Sequence, residues 1–140
     1  MYLNKSKILE NYKKSEDAFN KVRDGKDVVG AILHELERSM NIVADSIEKT
    51  KSWKPENKDL ELKNKHFTKA LTAIYSLQTS LNFDEGEEIA IKLFQLYEYC
   101  RRQLIKGFSK KVVDGIKKGA EAIESICEAW QNGVVNANAK

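Results

Sequence analysis

A chain of 140 residues with 41% hydrophobic and 32% charged side chains is one domain's worth of sequence, apolar enough to bury a core. Its seven glycines and single proline, Pro55, exclude collagen-like and low-complexity classes and allow long uninterrupted helices. The net charge of +3 comes from 24 basic and 21 acidic residues interspersed along the chain, without the basic stripe of a nucleic-acid binder.

No run approaches the ~20 apolar residues of a membrane span, and the opening residues lack the apolar stretch of a signal peptide. Cys100 and Cys127 are too few for a secreted disulfide scaffold. These features predict a cytoplasmic protein with reduced thiols and no membrane insertion.

In chain order, residues 4–22 carry Ile8, Leu9, Tyr12, Phe19 and Val22, a thin stripe interrupted by Ser15 and Glu16. Residues 27–50 follow with Val29, Ile32, Leu33, Leu36, Met40, Val43 and Ile47 at spacings of three and four, behind Asp27 as N-cap. A third helix is predicted over 57–81, just after Pro55, with Phe67, Leu71, Ile74, Leu77 and Leu81 on one face. Residues 82–86 read as a turn. Glu87 and Glu88 then open a fourth helix, where acids suit the positive end of the helix dipole.

The fourth helix is predicted to bury Ile89, Leu93, Leu96, Cys100 and Leu104. A break at 107–109 and a Ser109 cap start a fifth, with Val112, Val113, Ile116, Ala120, Ile123, Cys127 and Trp130. No segment alternates as an amphipathic strand does. The fold class that follows is all-α: an antiparallel four-helix bundle with an additional N-terminal helix or segment. Residues 1–132 are expected to form a single bundle domain, with 1–24 packing on or capping it and 133–140 as a flexible tail.

Catalytic chemistry finds no foothold. His34 and His66 have no glutamate three residues earlier, so a di-iron bundle fails on spacing. A zinc site would require the two histidines and two cysteines to converge from separate helices, and no phosphate-cradling glycine motif is present. The reading is of a non-enzyme with no cofactor and no metal. What remains is apolar surface: Phe94, Tyr97 and Tyr99 spread over more of the fourth helix than one stripe needs, which reads first as core and second as a groove for a partner's amphipathic helix, and periodicity alone does not separate the two.

From Ser80 onward the residues resemble a known family. Ser80-Leu81-Asn82-Phe83-Asp84-Glu85-Gly86-Glu87-Glu88-Ile89-Ala90 is similar to the "SLD-x-E-x-GGEIA" segment of the flagellar secretion chaperone FliS. Leu93, Leu96-Tyr97-Glu98-Tyr99 and Leu104 continue the likeness, as do Glu128-Ala129-Trp130 near the end and Met1-Tyr2 with Tyr12 at the start. Departures stand at Gly25-Lys26, at Leu33-His34-Glu35-Leu36, and at Asn82, Glu87 and Lys92.

The resemblance implies a cytoplasmic chaperone that binds the disordered C-terminal segment of flagellin, prevents premature polymerisation and delivers it to the flagellar type III export apparatus. A helical-bundle adaptor for a different secreted client is the second reading. The expected partner-binding residues are Ile8, Tyr12, Ile89, Leu93, Phe94, Leu96, Tyr97 and Tyr99. The free protein is expected to be a monomer or weak homodimer. The thin first stripe further suggests that Ile8, Leu9 and Tyr12 occupy the client groove until the client arrives.

Overall fold

The computed structural model describes residues 27–138, with side chains over 28–132. The expectations for the N-terminal segment, including Ile8, Leu9 and Tyr12, lie outside the described residues. Four helices follow in order: α1 (Asp27–Lys49), α2 (Asn57–Ser80), α3 (Glu87–Lys110) and α4 (Asp114–Asn138). The loops are 50–56, 81–86 and 111–113, and such short connections leave successive helices little choice but to pack antiparallel.

Cross-helix contacts show the antiparallel order directly. Between α1 and α2, Ser39 meets His66, while Thr50, just past α1, meets Lys63. Between α2 and α3, Phe67 meets Phe108 and Gln78 meets Glu98. The α1–α4 pair runs the same way, since Gly30 lies against Trp130 and Met40 against Gly119.

The first helix is the centre of the core. Ile32, Leu33, Leu36, Met40, Val43 and Ile47 are all essentially sealed from solvent, as their spacing predicts. Each such side chain contributes roughly 1.5–3 kcal/mol by burial. Val29 is half-buried against them. On α2 the buried face centres on Ala70, Ala73, Ile74 and Leu77, and the larger Phe67, Leu71 and Leu81 pack at its margin.

Two boundaries differ from expectation. The helix expected to break at 107–109 continues to Lys110, so Ser109 lies inside α3 and caps nothing. The chain turns instead at Lys111, which adopts a left-handed conformation (φ 59°, ψ 40°) and donates its N–H to the Gly107 carbonyl at 2.8 Å. Glycine usually fills that position; here a lysine takes it, which hid the stop. A Cβ on Gly107 would collide with the Val112 carbonyl and lie 2.5 Å from Ile116 Cδ1, so the missing side chain lets the chain fold back at once. Val112 consequently faces solvent, while Val113 and Ile116 enter the core. At the far end, α4 is helical to Asn138, past residue 132 where the bundle domain was expected to end.

The 81–86 turn is organised by Asn82. Its Oδ1 accepts the backbone N–H groups of Asp84 at 3.1 Å and Glu85 at 3.2 Å, an Asx turn that aims the chain into α3.

Candidate interaction surface on the third helix

Along α3, the buried positions are Ala90, Tyr97, Cys100, Leu104 and Gly107, with Leu93 half-buried between them. They recur at three and four residues, but the seam starts one residue later than the predicted one. Ile89, expected in the core, is 67% exposed, and Ala90 takes its place. Tyr97, expected to help line a groove, is 3% exposed and belongs to the core. Burial pushes its hydroxyl up to about 12.

The remaining predicted binding residues on α3 are accessible to different degrees. Phe94 is 40% exposed, Tyr99 is similarly open, and Leu93 and Leu96 are half-buried. Sequence reasoning missed Ile91, Ile105, Phe83 and Val112, all of them exposed. Among the described residues, every exposed large apolar side chain except Trp53 and Leu62 sits on α3 or in the turns at its ends. The excess of apolar residues on α3 over what one seam can bury, read in the sequence at Phe94 and Tyr99, extends to Ile91 and Ile105.

The α2–α3 seam has a defined floor. Phe67 stacks on Phe108 with centroids 4.2 Å apart, and Lys63 Nζ lies 5.2 Å from the Phe108 ring. Further along, Gln78 Nε2 donates to Glu98 Oε1 at 3.2 Å and to the Phe94 carbonyl at 3.5 Å. Arg101 Nε donates to Glu98 Oε1 at 2.9 Å, and Arg102 lies 3.9 Å from Glu98 Oε2. The Arg101 hydrogen bond, helped by Gln78 and both arginine charges, holds the Glu98 carboxyl at about 2. Phe83 and Phe94 close the other end, 6.3 Å apart and tilted by 57°.

Cys100, Cys127 and His66 are buried, whereas His34 is exposed, with Nε2 3.4 Å from Gln131 Nε2. Burial pushes the Cys100 thiol up to about 12 and Cys127 to about 11, so neither is a thiolate near neutral pH. Ser39 Oγ lies 3.2 Å from His66 Nδ1 and donates to Glu35 Oε1 at 3.3 Å, but Ser39 and His66 are buried between α1 and α2. Among the described residues no group of three or more histidine, cysteine, aspartate or glutamate side chains is placed to hold a metal ion. None of the described helices is long and apolar enough to cross a membrane.

A helical bundle whose excess apolar surface gathers around one helix belongs to the class of interaction proteins that present helix faces to a partner. Residues 26–138 match the family described as flagellar protein FliS, and the chain belongs to that family of flagellar chaperones. No curated protein matches the chain.

Proposed function

We propose that this protein is an export chaperone for flagellin. It binds the disordered C-terminal segment in the cytoplasm, prevents premature polymerisation and hands the client to the flagellar type III export apparatus. The observation that carries this reading is the apolar excess around α3, within a chain of the FliS family.

A client segment that is unfolded when free can lay apolar helix faces on Ile89, Leu93, Phe94, Leu96 and Tyr99, with Tyr97 as support beneath them. Ile8 and Tyr12 complete the proposed set. Ordering of the client costs part of the interaction energy, which keeps binding reversible enough for hand-over.

Titration calorimetry with the host's flagellin C-terminal segment, and its N-terminal segment as control, tests the reading. One-to-one binding of the C-terminal segment alone, with a negative heat-capacity change, is expected. Absence of heat and of co-elution with either segment would remove flagellin as the client.

A further inference from the structure

The near-neutral balance of the whole chain conceals a local polarity. Residues 84–98 contain Asp84, Glu85, Glu87, Glu88 and Glu98 against Lys92 alone. Residues 99–113 contain Arg101, Arg102, Lys106, Lys110 and Lys111 and no acid. The helix dipole accounts for charges in a first or last turn. It does not account for Arg101 and Arg102, which lie two turns before the end of α3 at Lys110. Internal pairing does not cancel the pattern either: Glu88 takes Lys92, and Glu98 takes Arg101 and lies 3.9 Å from Arg102, which leaves Asp84, Glu85 and Glu87 at one end and Lys106, Lys110 and Lys111 at the other.

This polarity runs along an apolar path. Ile91, Phe94 and Ile105 are exposed on α3 at the three- and four-residue spacing that also carries Glu98 and Phe108, which meet Gln78 and Phe67 of α2, and Phe83 in the turn before α3 lies against Phe94. The acids lie at the Phe83–Ile91 end and the bases at the Ile105 end. From Glu87 to Arg102 the path is about 22 Å long at the helical rise, the length of a helix of about 15 to 18 residues.

We infer that this groove takes an amphipathic helix in one direction, antiparallel to α3, with an acidic N-terminal half against Arg102 and its neighbours and a basic C-terminal half over the 81–86 turn. Side-chain charges and the two helix dipoles favour the same orientation, and a partner helix with acids at its start and bases at its end already has the matching order. The inference rests on the chaperone reading and assigns one helix of the bound segment to the α2-facing side of α3, through Phe94, with its charge pattern and direction.

The test uses a synthetic amphipathic peptide of about 18 residues, with leucines on one face, glutamates in its first two turns and lysines in its last two. A nitroxide tag is placed at either end in turn, and the full-length isotope-labelled protein is observed by NMR. The C-terminal tag should broaden the amides of residues 83–91, and the N-terminal tag those of 101–108. Replacing the terminal charges of the peptide by glutamine should weaken binding about fivefold at low salt. The opposite pattern, equal broadening at both ends, or no binding of the charged peptide would overturn the inference. Calorimetry with the flagellin segment is read separately. Flagellin binding without directional docking of the peptide sinks the polarity and leaves the chaperone reading, whereas directional docking without flagellin binding does the reverse.

Discussion

Ser39 of α1 and His66 of α2 meet inside the bundle, Oγ to Nδ1 at 3.2 Å, with Glu35 accepting from the same hydroxyl and bridging to Lys69 at 3.4 Å. A neutral imidazole suits this seam. Burial, and then the Lys69 and Arg38 charges, hold His66 below the ordinary histidine value, while Glu35 opposes them more weakly.

The sign of the pH effect follows. A histidine with a lowered folded-state value binds fewer protons folded than unfolded, so stability is full above the unfolded value of about 6.5 and falls as pH drops through it. Glu98 acts lower, since its stabilisation is present above about 4.5 and is lost toward about 2. Urea midpoints should therefore fall between pH 7 and 5 in the wild type and fall less in His66→Gln. Parallel pH profiles for the two proteins would show that the imidazole is not responsible.

Among the glycines of the described residues, Gly107 is predicted to be the least replaceable. In Gly107→Ala the new methyl meets backbone at Val112, which cannot swing aside as a flexible side chain could. A loss of about 1–3 kcal/mol is expected from overpacking, read as a lower thermal midpoint. An unchanged midpoint would mean the 111–113 connection re-forms without strain.

The neighbouring Lys111 points the other way. Its positive φ is strained for an L-residue, so Lys111→Gly should stabilise the bundle by about 0.5–1 kcal/mol, net of the greater freedom of glycine in the unfolded chain. Denaturant titration reads this directly; a destabilised variant would place the importance of Lys111 in its side chain.

Surface and core residues of α3 should separate binding from stability. Ile89→Ala and Phe94→Ala should weaken binding of the flagellin segment about tenfold each, since anchors at interface centres cost above ~1 kcal/mol, and should leave the melting temperature nearly unchanged. Tyr97→Ala should lower stability by roughly 3–5 kcal/mol, as a buried aromatic does. Wild-type affinity in both surface variants would locate the client elsewhere on the bundle.

Much of the fold was legible in the sequence because α1 carries its large aliphatic residues on one stripe, and such a stripe has only one way to be buried. The α2 face was harder to read. Ala70, Ala73 and Ser76 are buried there by the approach of neighbouring helices, and small residues give almost no hydropathy signal. The end of α3 was misread for a related reason: Lys111 occupies a position where glycine would have signalled the stop.

Residue type and spacing alone determined the all-α class, the helix pairing order through short loops, and the likeness to the FliS family. Only the tertiary structure decided which side of α3 is core. Two stripes offset by one residue, one through Ile89 and one through Ala90, have nearly the same periodicity. The choice between them fell to the helices packed against α3, which enclose Tyr97 and Cys100 and leave Ile89 and Phe94 to solvent.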